Sequence, residues 1–304
     1  MHRSNVIPIM VRGLCLALVL TWLCAGAAWA LDPNHYISQY AHAAWRIRDG
    51  SFSGTPYLLV QASDGYLWLA TSSELFRFDG VRFVPWSAVH GERFPSFQIS
   101  DLLPARDGSL WIATSSSVAR WKDQILTSYP GEGRSLLEDR HGTIWFGRGN
   151  LAAASLCQVL ESAARCVELA DVVPSLGIPG RLFEDPEGNL WIGGTRGVLR
   201  WNDESRTVYP LIGLSTNFAQ GVTALASTSD GTTWVGIAKR GQGLGLQRLA
   251  QGRWQPFKTP ELDGDNLLVS ALHVDRDGVL WIGTFDHGIY RLFRNDVDHF
   301  DSTR

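Results

Sequence analysis

One phrase constrains this chain more than any other. "DGVLWIGT" at residues 277–284 joins a tight turn to a short apolar strand, and five near-copies precede it. They are "DGYLWLAT" at Asp64, "DGSLWIAT" at Asp107, "HGTIWFGR" at His141, "EGNLWIGG" at Glu187 and "DGTTWVGI" at Asp230. Their tryptophans, Trp68, Trp111, Trp145, Trp191, Trp234 and Trp281, lie 43, 34, 46, 43 and 47 residues apart. Propeller blades and paired-helix solenoids both repeat at about 40–50 residues. Strand chemistry separates them: each phrase is a Gly-containing turn followed by β-branched and aromatic residues, and no amphipathic helix of useful length follows residue 30. The sequence therefore predicts an all-β fold, a β-propeller of four-stranded antiparallel blades with six repeats visible. Seven blades, with the chain a truncated part of the ring, is the preferred arrangement, and a closed six-bladed ring is the alternative.

A second feature recurs in register. Arg77, Arg120 and Arg200 each stand nine residues after their Trp, and Arg248 and Arg291 hold the same place after insertions. Each unit can be written as an apolar run, the turn, the Trp strand, the Arg strand and a final run such as "VRFVPW". The third unit is degenerate, with "LAAASL" where its Arg strand belongs. Asp-Gly suits a two-residue hairpin turn, because Gly accepts positive φ without steric cost. The Trp offers a large face to the next sheet, and burying it is worth about 4–6 kcal/mol. Gly193, Ala113 and Gly283 after the Trp keep packed sheets close. An arginine repeated in five of the six units reads as a structural partner of a carboxylate or ring, with ligand binding as the alternative.

These residues resemble the two-component regulator propeller repeat, whose units read D-x-x-G-x-L-W-I-G-T followed by G-L-x-R-F. "EDPEGNLWIGGTRGVLRW" at residues 184–201 and "VDRDGVLWIGTFDHGIYRL" at residues 274–292 are similar to it over their whole length. "ISQYAHAAWRIRDGSFSG" at residues 37–54 resembles the opening segment of exported sensors built on this repeat. The resemblance runs from Leu31 onward. It implies a periplasmic ligand-sensing domain, ordinarily followed by a β-sandwich, a membrane helix and a histidine kinase or diguanylate cyclase. None of those parts occurs in these 304 residues, so the expectation is a truncated sensor and no enzyme on this chain. Trp45 sits in what reads as a lone fourth strand, the closing strand of a ring.

The first 30 residues read as an export signal: His2, Arg3 and Arg12, then a mostly apolar stretch, then Ala28-Trp29-Ala30 as a cleavage site. An uncleaved anchor helix is the alternative. No later segment approaches the ~20 apolar residues that span a bilayer, so residues 31–304 are expected in the periplasm as one propeller domain. Cys15 and Cys24 would leave with the signal. Cys157 and Cys166 remain, on two short apolar runs, where a hairpin disulfide and two reduced thiols both fit. A net charge of −3 gives no reason to expect nucleic acid as a partner.

Enzyme signatures are absent: no G-x-S-x-G, H-E-x-x-H or P-loop pattern occurs, and no cofactor or metal site is expected. "RGQGLGL" at residues 240–246 has no helix behind it and reads as a loop, and "LDGDN" at residues 262–266 reads as a turn, not a calcium loop. Ligand binding belongs to the loops that fail to repeat, with His90, Arg93, Arg148, Arg196, Lys239, Arg240, Asp286 and His287 as candidates. A solvated loop charge is the plainer role for any one of them. Basic residues around one mouth favour an anionic small molecule or saccharide. The competing functions are a small lyase- or lactonase-like propeller enzyme and a protein-interaction scaffold, with self-association or a signalling subunit as the partner.

Overall fold

Every repeat becomes one antiparallel sheet. The computed structural model describes residues 43–86, 98–149, 153–161, 163–202, 205–211, 213–214, 221–294 and 296–301. The expected export signal, with Cys15 and Cys24, and the candidates His90 and Arg93 lie outside the described residues. The first blade is β1 (Pro56–Gln61), β2 (Leu67–Thr71), β3 (Leu75–Phe78) and β4 (Phe83–Pro85). The second is β5 (Ile99–Pro104), β6 (Leu110–Thr114), β7 (Ser117–Lys122) and β8 (Ile125–Pro130). The third is β9 (Ser135–Glu138), β10 (Ile144–Gly149), β11 (Ala154–Val159) and β12 (Ala164–Glu168). A short helix, α1 (Val173–Leu176), leads into the fourth blade, β13 (Pro179–Glu184), β14 (Leu190–Gly194), β15 (Gly197–Trp201) and β16 (Arg206–Pro210). The fifth is β17 (Val222–Ser227), β18 (Thr233–Ile237), β19 (Leu246–Ala250) and β20 (Arg253–Pro256). The sixth is β21 (Val269–Val274), β22 (Leu280–Thr284), β23 (Ile289–Phe293) and β24 (Asp296–Phe300). Neighbouring strands pair in sequence order within each four-stranded sheet, so the chain is an all-β propeller.

The repeated turn differs from the two-residue hairpin expected of Asp-Gly. The residue six before each Trp donates its N–H to the carbonyl two before the Trp, and the turn glycine donates to the residue six before, as in Ala62 to Tyr66 and Gly65 to Ala62. Glycine is thus the fourth residue of a β-turn, with φ of 87° at Gly65, 80° at Gly108 and 79° at Gly278. Asp64, Asp107 and Asp277 keep negative φ, which a type I′ turn would not allow.

What holds the turn depends on where the acid falls. In the third, fourth and sixth blades the aspartate six before the Trp caps the turn N–H groups and accepts the indole N–H. Trp145 Nε1 reaches Asp139 at 2.8 Å, Trp191 reaches Asp185 at 2.6 Å and Trp281 reaches Asp275 at 2.7 Å. Where that position is Ala62, Ala105 or Thr228, the aspartate two residues later takes over, accepting from the N–H of Tyr66, Ser109 or Thr232.

The core lies between blades. Each Trp of the first five blades faces the following blade: Trp68 meets Trp121 edge-on at 5.3 Å, and Trp234 clusters with Val269, Leu280 and Ile282. Five apolar clusters result, one at each junction of successive blades. The residue two after the Trp must be small there, since a Cβ on Gly193 or Gly236 would lie 2.5 Å from Val222 or 2.4 Å from Val269 of the next blade. The innermost strands pack in order, β1 on β5, β5 on β9, β9 on β13, β13 on β17 and β17 on β21. The register arginines lie against aromatic rings or acids of their own blade. Arg77 stands over Tyr66 at 4.5 Å, Arg120 over Trp111 and Arg200 over Trp191 at 5.8 Å, and Arg248 over Phe257 at 5.7 Å. Arg291 pairs with Asp298 at 2.8 Å. In the third blade Gln158 occupies the arginine's place opposite Trp145. Cys157 and Cys166 face each other across β11 and β12 and are disulfide-bonded.

Candidate functional site

Antiparallel topology puts all connections between second and third strands on one side of the propeller and the repeated turns on the other. The non-repeating side carries the candidate residues. Arg240 follows β18, and Asp286 and His287 follow β22, so the fifth and sixth blades bring them together. The Arg240 guanidinium forms an ion pair with Asp286 and reaches His287 Nδ1 at 3.3 Å, while its Nε donates to the Asn266 carbonyl at 2.8 Å. Asp286 also meets His287 Nδ1 at 2.8 Å. The hydrogen bond with His287, aided by the Arg240 charge, holds the Asp286 carboxyl below its ordinary range. All three side chains keep solvent access, which a ligand site requires.

The loop carrying Arg240 is fastened from below. Gly241 donates to the Asp265 carbonyl at 2.9 Å and Gly243 to the Asp265 carboxylate at 3.0 Å. Gly245 has φ of 67°, and a Cβ there would lie 2.0 Å from the Gly264 carbonyl oxygen, so this bend needs glycine. Asp263 and Asp265 are bound to Lys258 at 2.9 and 2.7 Å.

The remaining candidates are dispersed. Lys239 donates to the Gly213 carbonyl at 2.6 Å, and Arg196 to the Pro174 carbonyl of α1 at 3.0 Å. Arg148 lies within β10, its guanidinium beside Gly131. Two members of the cluster were invisible in the one-dimensional sequence. His299 stacks on Tyr290 with ring centres 4.2 Å apart, and its Nε2 lies 2.6 Å from the His287 carbonyl oxygen. Only the pairing of β23 with β24 places Tyr290 opposite His299.

On the turn side, a groove of about 750 Å³ lies between the second and third blades, lined in part by Asp107, Arg120, Tyr129, Glu138 and Arg140. Several of its charges are already engaged: Asp107 binds Arg120 at 2.5 Å and Lys122 at 3.0 Å, and Arg140 binds Glu184 at 2.8 Å. Among the described residues no three His, Cys, Asp or Glu side chains are grouped to hold a metal ion. No helix among them is long and apolar enough to cross a membrane.

Sheets in sequence order, each passing a tryptophan to the next, define a repeat-built β-propeller. Two of its repeats match the two-component regulator propeller family: the profile of that family covers residues 173–196 and 263–286, which hold the Trp strands of the fourth and sixth blades. No curated protein matches the sequence. Virginiamycin B lyase from Staphylococcus aureus superposes with a TM-score of 0.63 at 17% identity, over 81% of this chain and 84% of the lyase. PorZ, a surface component of the type-IX secretion system of Porphyromonas gingivalis, gives 0.62 at 16% identity, over 82% of this chain and 42% of PorZ. The extracellular domain of a protein described as a hybrid two-component system of B. thetaiotaomicron gives 0.59 at 18% identity, over 83% of this chain and 34% of that one. At these identities the likeness is one of fold.

Proposed function

We propose that the chain is the ligand-binding propeller of an exported, two-component-type receptor, working in the periplasm and carrying no output domain within these 304 residues. The observation that carries this proposal is the pair of two-component regulator propeller repeats. The similarity to an extracellular two-component domain supports it at the level of fold. Binding is assigned to the loop side, at Arg240, Asp286 and His287, because charge gathers there on segments that do not repeat. The solvent-accessible Arg240 guanidinium suits the carboxylate of a small acidic saccharide, to which it can donate a charge-assisted hydrogen bond.

Titration calorimetry of the full chain with uronic acid disaccharides and trisaccharides tests this. Measurable heat that is lost in Arg240→Ala and kept in Arg196→Ala is the expected result. No heat with any uronic acid or sulfated oligosaccharide would overturn it. The second function, a small propeller enzyme, draws on the likeness to a lyase that covers 84% of that enzyme. Chromatography showing the saccharides cleaved on incubation with the chain would favour the enzyme.

A further inference from the structure

We infer that the slot between the sixth and first blades is a docking surface for one more β-sheet blade of this repeat type, whose first strand carries a carboxylate seven residues ahead of its Trp. This lies outside the ligand-binding proposal and rests on how the five observed junctions are built.

Three devices recur at the junctions between successive blades. The first is the Trp face. The residue opposite the small residue of the Trp strand is sealed by the next blade, so Val118, Val198 and Leu246 are 0% exposed. The second is a bond between inner strands. Asp101 accepts the Leu136 N–H at 2.8 Å, and Ser135 accepts the Leu182 N–H at 3.0 Å. Arg181 donates to the Thr223 carbonyl at 2.6 Å, and Thr223 Oγ1 to the Val269 carbonyl at 2.7 Å. The third is an ion pair at two junctions. The arginine five before one Trp grips the glutamate seven before the next Trp, Arg106 to Glu138 at 3.2 Å and Arg140 to Glu184 at 2.8 Å.

On the sixth blade the leading half of all three meets no following blade among the described residues. Ile289, in the place of Val198, is 43% exposed. Ala271 and His273 on the same face are exposed too, and a Cβ on Gly283 would approach only atoms of its own inner strand. Ser270, left out of the ladder by the same bulge that frees Thr223, has no hydrogen bond from its hydroxyl among the described residues. Arg276, five before Trp281, is exposed and has no ion-pair partner among them. Across the slot, Leu59 of β1 is 59% exposed. Trp45 and Phe52 cover the outer strands there, packing on Phe78 at 4.7 Å and Phe83 at 5.1 Å. The shape wanted is therefore a sheet, and the charge wanted is the glutamate that Arg106 and Arg140 already hold.

A copy of the fourth blade, residues 178–211, carries that glutamate and serves as the probe, fused through a flexible linker to the carboxyl end of the full chain. Slot occupancy is read as the alkylation rate of Ala271→Cys, located by mass spectrometry. Fusion should slow alkylation at least tenfold. Arg276→Ala in the body, or Glu184→Gln in the appended copy, should each restore most of the rate, with no further effect when combined. Unchanged alkylation, or protection indifferent to both substitutions, would overturn the inference. So would slow alkylation of the unfused chain, whether a second copy or closure onto the first blade fills the slot. If the appended copy fails to fold, the unfused chain still decides: Arg140→Ala should lower the melting temperature and Arg276→Ala should leave it unchanged. Equal losses would mean that Arg276 already has a partner.

Discussion

At the scale of the residue, one side chain type does different work according to its neighbour. Trp234 is 5% exposed beneath the sixth blade, whereas Trp281 packs against its own Phe300 at 6.2 Å and is only partly covered. Trp234→Ala should cost about 3–5 kcal/mol, the usual range for a buried aromatic, and Trp281→Ala should cost clearly less; chemical denaturation of both variants measures the difference. The acids of the turns set a pH limit. Burial raises the Asp139 carboxyl, but bonds from Trp145, Thr143 and His141 outweigh it and leave its pKa lowered. Asp107 is driven down against burial by Ser109, Lys122 and Arg120. A carboxylate with a lowered folded pKa contributes its stability above the unfolded value and loses it as pH falls through the folded one. Denaturation midpoints should thus stay flat from pH 7 to about 5 and drop below about pH 4, less steeply in Asp139→Asn. The Trp and Arg positions were legible in the sequence because repetition exposes register. The indole bond to the aspartate was not, because it forms only once the turn has closed.

At the scale of the element, each four-stranded sheet could be written from the sequence, including the strand without arginine. The turn could not. Asp-Gly is compatible with several hairpins, and the choice was made by the residue six before the Trp, whose N–H and carbonyl close the loop at both ends. The third blade differs in a further way: Gln158 takes the arginine's place beside Cys157, whose disulfide to Cys166 ties β11 to β12. Closing so short a loop limits the gain to about 2–3 kcal/mol. Reduction should lower stability by that amount, and Cys157→Ala with Cys166→Ala should reproduce the loss in a melt run without reductant. A much larger loss would mean that the third blade depends on the bridge to form.

At the scale of the whole molecule, period and strand chemistry predicted blades, but not which faces would be left bare. That required the exposures of Leu59, Ala271 and Ile289 on the two sides of one slot. The loop-side cluster was half legible: Arg240, Asp286 and His287 could be picked as non-repeating charges, while their meeting depends on the fifth and sixth blades lying side by side. Arg148 and Arg196 met the same criterion in sequence, but Arg148 lies within β10 and Arg196, after β14, bonds to the Pro174 carbonyl of α1. Site-resolved hydrogen exchange on the full chain tests the central claim, that junctions run in order from the first blade to the sixth and stop there. Amides of β5, β9, β13 and β17, flanked by blades on both sides, should exchange slowest, and those of β1 and β21 markedly faster. Equal protection of β1, β21 and the four inner strands between them would contradict it and establish a closed ring.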